Sequence, residues 1–188
     1  MKTPFLTGPT VYLRALEPED APHLVTWFNE PLVLRDILRH RPATLASERE
    51  RIAKMTADEN AVVLGICRRE PDGLIGMVGL HDINARHRHA ELGVTIGLPS
   101  EWGKGYGTEA VRLIVGHGFD TLNLHRIELS VYESNQGGVR AYEKVGFQRE
   151  GVLRQYLYRE GRYWDALLMS ILKAEWDARK RAPGDLAR

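Results

Sequence analysis

Apolar and polar positions change period several times along the chain, and each change marks an element. Val11 to Leu16 (VYLRAL) reads as a strand. Glu17-Pro18-Glu19-Asp20 then opens a helix, since acidic residues and a proline are favoured in a first turn, and that helix runs to about Asn29. A second helix begins near Thr44 or Ser47, because Ser47 and Glu50 have capping-box spacing and Glu48 to Met55 are good helix formers; it stops before Asn60. Val62 to Arg68 and Leu74 to His81 are apolar runs joined by Glu70-Pro71-Asp72-Gly73, whose turn chemistry makes a hairpin. Glu91 to Ile96 supplies a third consecutive strand, so this stretch is predicted to be an antiparallel meander. A loop follows, then a helix over Gly105 to Phe119, a strand over Arg126 to Glu133, a helix over Asn135 to Val145, and two strands on either side of Glu160-Gly161. The pattern predicts an α/β fold with a mixed, mostly antiparallel central sheet flanked by helices.

Length and composition narrow the field. The 188 residues suit one well-packed domain, and no interior linker breaks the pattern, so residues 1–178 are assigned to a single domain. Residues 179–188 (RKRAPGDLAR) lose apolar periodicity and read as a flexible basic tail, with Lys173 to Arg181 as a solvated C-terminal helix. Twenty-six Lys and Arg against 25 Asp and Glu leave a net charge of +1, without the field that nonspecific nucleic-acid binding requires. Cys67 is the only cysteine, which excludes an internal disulfide and a Cys-based zinc site; it reads as a small buried hydrophobe. His87 and His89 stand in Arg86-His-Arg-His89, where the adjacent cations oppose metal binding, so no metal is expected. No run approaches the roughly 18 apolar residues of a membrane span, and Met1 to Pro9 has no export-type apolar region. The expectation is a soluble cytoplasmic protein with neither a membrane nor a nucleic-acid partner.

The densest chemistry lies in Glu91 to Val111, ELGVTIGLPSEWGKGYGTEAV. Gly103, Gly105 and Gly107 crowd a loop just before a helix, where free backbone amides and the positive dipole end suit phosphate oxygens and missing Cβ atoms permit close approach. The segment lacks the Gly-Lys-Ser/Thr of a Walker A loop, and its Gly-x-Gly-x-Gly spacing is a poor dinucleotide fingerprint. Glycines serving only a tight turn would look similar. Further on, in ESNQGGVRAYEKVGF, Asn135 and Tyr142 are seven apart; on one helix they share a face roughly 10 Å apart along its axis. Alone, Asn135 is a helix cap and Tyr142 a half-buried core tyrosine.

Together these segments resemble the Gcn5-related N-acetyltransferase (GNAT) superfamily, and within it the bacterial branch of ribosomal-protein N-terminal and spermidine acetyltransferases. The resemblance spans VYLRALEPEDA, AELGVTIG, EWGKGYGTEA, SNQGGVRAYEKVGF and EGVLRQYLYREGRYWDALLMSIL, nearly the whole chain. It implies a single-domain acyl-CoA N-acyltransferase fold. The strand at Val94, Thr95 and Ile96 would bind the pantetheine arm of acetyl-CoA, and the loop Trp102, Gly103, Lys104, Gly105, Tyr106, Gly107 and Thr108 would hold the pyrophosphate. Asn135 would contact the cofactor arm, and Tyr142 would be the general acid near the thioester sulfur. Trp102 stands where the superfamily has Gln or Arg, a minor departure for a cradle of backbone amides. Some relatives carry serine in place of Gly138, and its absence strengthens the case for Tyr142.

Acetyl transfer to an amine requires a neutral amine, a polarised carbonyl and a proton for the departing thiolate. Glu91 opens the cofactor strand, with alternation pointing it opposite Leu92, and is the candidate base, although a solvated strand-end carboxylate fits equally. In the family, the region of Trp27, Phe28 and Arg35 to Arg41 forms the acceptor-side wall. Here Glu30 and Asp36 stand against four basic residues, counting His40, which counts against polyamines. The expected activity is direct transfer from acetyl-CoA to a primary amine, either a protein N-terminal amine or a small molecule. A polyamine acetyltransferase, a noncatalytic acyl-CoA sensor and a nucleotide-dependent oxidoreductase are the rivals. Tyr156, Tyr158, Tyr163 and Trp164 suit either packing or a homodimer face.

Overall fold

The computed structural model describes residues 3–181. Eight strands form one sheet: β1 (Leu6–Thr7), β2 (Val11–Ala15), β3 (Val62–Arg68), β4 (Gly73–Asn84), β5 (His89–Ile96), β6 (Arg126–Tyr132), β7 (Gln148–Arg159) and β8 (Arg162–Leu172). Their spatial order is β1-β2-β3-β4-β5-β6-β8-β7, antiparallel throughout except for the β5–β6 pair. Alternation along the strands sends buried residues to both faces. Leu64, Ile66, Val78, Leu80 and Leu92 pack in one cluster with Ala110, Val111, Ile114 and Val115 of α4 (Tyr106–Asp120). Val63, Cys67, Leu74 and Met77 pack on the opposite face with Leu24 and Trp27 of α1 (Ala21–Trp27) and Ile52 of α3 (Leu45–Ala57). Cys67 is buried, and that burial pushes its thiol pKa up.

The expected first helix divides into a short 3₁₀ turn (Pro18–Asp20) followed by α1. Asp20 fixes this corner: it is buried, accepts from the Glu17 amide at 2.9 Å, and binds both Nη atoms of Arg14 at 2.7 and 2.9 Å. The cap of α3 is Thr44, whose hydroxyl accepts from the Ser47 amide at 3.1 Å while Ser47 returns the bond to the Thr44 amide at 3.0 Å; the expected Ser47–Glu50 box does not form. The two-residue β1 and the four-residue α2 (Pro31–Leu34) are too short to leave a period in the sequence.

The last helix, α6 (Lys173–Arg181), is docked rather than freely solvated. Trp176 is buried against Phe119, ring centroids 6.1 Å apart, and Arg179 donates to the Lys144 carbonyl at 3.2 Å. Arg179, Lys180 and Arg181 therefore belong to this helix, and the remainder of the expected tail, 182–188, lies outside the described residues. No helix among the described residues is long and apolar enough to cross a membrane.

Candidate active site

The parallel pair β5–β6 is matched only at His89–Arg126, Ala90–Ile127 and Glu91–Glu128. Beyond Glu91 the strands separate, while the other edge of β5 stays paired with β4 as far as Ile96. The Thr95 carbonyl lies toward β4, where a Cβ built on Gly76 would meet it at 2.3 Å. The Ile96 carbonyl instead accepts a 2.9 Å hydrogen bond from the Trp102 indole. Alternation therefore turns the main-chain groups of Val94 toward the gap between β5 and β6, a row of polar groups without a strand partner.

At the end of this gap the chain makes the glycine bend and enters α4. Gly103 and Gly105 have φ of +75° and +89°, in the left-handed region that strains other residues, and a Cβ on either would meet nothing within 4 Å. Gly105 caps α4 without any side-chain hydrogen bond, so the first amides of a 15-residue helix face open space. A cavity of about 470 Å³ spans this bend and the exposed edge of β5. Val94, Thr95, Ile96, Trp102, Gly103, Gly105, Tyr106, Gly107, Thr108 and Asn135 all line it. Lys104 does not: its ammonium pairs with Glu101 at 3.0 Å. Glu101 also pairs with Arg68 at 2.6 Å, which neutralises a carboxylate beside the bend. Sequence reasoning missed Arg140 and Lys144, which line the cavity from α5 (Gln136–Val145); their i,i+4 spacing was the available signal.

Asn135 stands just before α5 as its cap, Oδ1 accepting from the Gly138 amide at 2.8 Å. A Cβ on Gly138 would crowd that side chain at 3.0 to 3.1 Å, so the glycine permits the tight cap. With Oδ1 committed, the Nδ2 donor is the part of Asn135 left to meet a ligand. Tyr142, two turns into α5, packs edge-on against Phe147 and is only 8% exposed. Burial raises its hydroxyl pKa to about 12, and the hydroxyl makes no hydrogen bond among the described residues.

A second cavity of about 390 Å³ lies between α3, the segment 36–39 and the sheet. It holds Glu91, which is exposed on β5, together with Phe28, Arg39, Arg51 and His81. Asp36, Ile37, Val94, Thr95, Asn135 and Tyr142 line both cavities and mark their junction. Trp27, expected on the acceptor wall, is core instead: it is buried against Gly97, where a Cβ would meet its ring at 2.0 Å. His87 and His89 stack with centroids 6.4 Å apart.

These features fit acetyl-CoA. Uncapped amides and Cβ-free space suit a diphosphate, unpaired strand groups suit the amide-bearing pantetheine arm, and a buried hydroxyl stands at the junction. A family model described as acetyltransferase (GNAT) domain matches residues 10–148. The chain is 33% identical over 173 residues to a protein named uncharacterized N-acetyltransferase YoaA from Bacillus subtilis, covering 90% of this chain and 97% of that one. It is 31% identical over 176 residues to spermidine N(1)-acetyltransferase of Escherichia coli, covering 93% and 92%. Among solved structures, spermidine N-acetyltransferase from Vibrio cholerae in complex with CoA and spermine superimposes with a TM-score of 0.81 at 30% identity, covering 88% of this chain and 97% of that one. The chain therefore belongs to the GNAT family and is an acetyl-CoA-dependent N-acetyltransferase.

Proposed function

We propose that this enzyme transfers acetyl directly to a primary amine held in the 390 Å³ cavity, the amine meeting the thioester at the junction beside Tyr142. The reading rests chiefly on one observation: Tyr142 lines both cavities, with a hydroxyl that burial keeps protonated and that no neighbour engages. The bend from Trp102 to Thr108 holds the diphosphate through backbone amides, Val94 to Ile96 bind the pantetheine arm, and the Asn135 Nδ2 group donates to it. Acetyl-CoA supplies the activated acetyl group. As the amine nitrogen bonds to the acetyl carbon, its proton passes to Glu91, directly or through water, and the carbon–sulfur bond breaks. Tyr142 gives its proton to the leaving thiolate and regains one from solvent. The acceptor is a peptide N-terminal amine or a small-molecule amine. The exposed Tyr156, Tyr158 and Tyr163 support a homodimer through the β7–β8 hairpin, which light scattering would test.

The test is thiol release from acetyl-CoA with peptides, amino acids and spermidine. Tyr142→Phe is expected to lower kcat by about 100-fold or more while acetyl-CoA still binds, the usual span for losing a general acid. Unchanged turnover in that variant would overturn its role. Binding of acetyl-CoA without thiol release to any acceptor would favour a sensor.

A further inference from the structure

The acceptor cavity is electrically two-ended. On its α3 side, Arg39 Nη2 lies 2.5 Å from Glu48 Oε1, and Arg51 Nε lies 3.2 Å from Glu48 Oε2. Glu48 is fully buried, so one carboxylate faces two guanidinium groups and this wall keeps one net positive charge. Both guanidinium groups lie over the Phe28 ring, 5.1 and 4.6 Å from its centroid, which fixes them in place. Arg51 also points Nη2 at Met77 Sδ, 3.2 Å away, a weak acceptor that leaves it short of a strong partner. Burial and then Arg39 lower the Arg51 pKa, the direction expected where positive charge is crowded.

The junction end offers a carboxylate with unused acceptor capacity. Asp36 lines both cavities, and its Oδ1 is buried without a hydrogen-bond partner. Its Oδ2 has the long 3.8 Å approach of Arg35, itself 53% exposed, and Arg159, which donates to the Ile37 carbonyl at 3.0 Å, adds its field without a hydrogen bond to the carboxylate. Asp36 and Arg39 are three residues apart, so their Cα atoms are separated by no more than about 11 Å, within reach of one short ligand. Glu91 lines the same cavity from β5 but stands in solvent. A ligand complementary to this arrangement has a cationic or amine nitrogen at Asp36 and an anion at the arginine pair. A polyamine would bring a further ammonium to a positive wall.

We propose that the acceptor is an amine whose own chain carries a carboxylate or similar anion, the amine docked at Asp36 and the anion read by Arg39 and Arg51. The proposal rests on the transferase reading and names its substrate class. Its test uses C-terminally amidated tripeptides Ala-Glu-Ala, Ala-Gln-Ala and Ala-Lys-Ala, with spermidine alongside and thiol release as the readout. The Glu peptide is expected to exceed the Gln peptide by about tenfold in kcat/KM, with the Lys peptide and spermidine lower still. Arg51→Gln should pull the Glu/Gln ratio toward one, Arg51→Lys should keep part of it, and Glu48→Gln, which unmasks the second guanidinium, should raise it. Opposite signs in two variants of one wall cannot come from loss of folded protein, which thermal unfolding of each would check. Preference for spermidine or the Lys peptide, or a ratio indifferent to both substitutions, overturns the proposal and leaves the transferase intact. Thiol release with none of the three peptides, where a free amino acid or another small amine does support it, would overturn the proposal and leave the transferase intact.

Discussion

The cavity beside the glycine bend is shaped by main chain, whereas the cavity beside α3 is shaped by long side chains. The first uses the open edge of β5, the uncapped start of α4, and two left-handed glycines. The second uses Arg39, Arg51, Phe28 and Asp36, which belong to three separate stretches of chain. A backbone site can serve one invariant ligand under many sequences, because its donors do not depend on side-chain identity. A side-chain site can be retuned by single substitutions. One fold can therefore keep its cofactor while changing acceptors.

The sharpest way to break the cofactor side is to add an atom. Gly76→Ala would place a Cβ 2.3 Å from the Thr95 carbonyl oxygen and 3.1 Å from the Ile96 Cα, and these backbone atoms cannot rotate away. β4 and β5 must then separate at the segment whose other edge is proposed to bind the cofactor. The expected cost is about 1–3 kcal/mol of stability, and acetyl-CoA affinity should fall by about tenfold. Thermal unfolding and a binding titration check both. Retained affinity would show that the geometry of β5 does not govern binding.

On the acceptor side, Asp36→Asn keeps size and removes charge. The acceptor KM should rise by about tenfold, as for the loss of a charged hydrogen bond, while acetyl-CoA affinity changes less. Steady-state kinetics with the amidated Glu tripeptide would show the split. Equal effects on both substrates would mean that Asp36 shapes the junction without selecting the amine.

This contrast also governs how much could be read from the sequence. Gly103, Gly105, Gly107 and the helix behind them are contiguous, so the open bend was legible, as was the Asn135–Tyr142 spacing. The splay of β5 from β6 was not legible in the residues themselves, since it is a property of how two distant strands cease to pair. Lys104 sits within the motif yet turns to Glu101, because a buried carboxylate three residues earlier binds it better than open cavity does. Trp27 and Phe28 are adjacent and both buried in one cluster, but only Phe28 also reaches the cavity wall. Arg39 and Arg51 could be seen as basic residues; their sharing of Glu48 over one ring required the folded chain.

A smaller effect is expected where a side chain supports the backbone site. Trp102→Phe keeps an aromatic ring but removes the indole donor to the Ile96 carbonyl, a 2.9 Å bond at the end of β5. The loss is about 1 kcal/mol, or about fivefold in acetyl-CoA affinity by titration. A tenfold or greater loss would mean that the side chain itself holds ligand.

The smallest effect concerns pH, and it falls where the two cavities meet. Burial raises the Tyr142 hydroxyl to about 12, against about 10 for a solvated tyrosine. Below about pH 10 the proton is bound in both folded and unfolded chains, so kcat should show no descending limb between pH 7 and 9 from loss of this donor. Between about pH 10 and 12 the unfolded chain releases the proton while the folded chain keeps it, so stability falls as pH rises through that window. Tyr132, raised to about 12 chiefly by burial, adds to the same loss. Denaturant unfolding at pH 8 and pH 11 would then show a smaller alkaline decline for Tyr142→Phe than for the parent. An equal decline would place the Tyr142 hydroxyl in contact with solvent, which would remove the burial on which its proposed role as donor to the leaving thiolate rests.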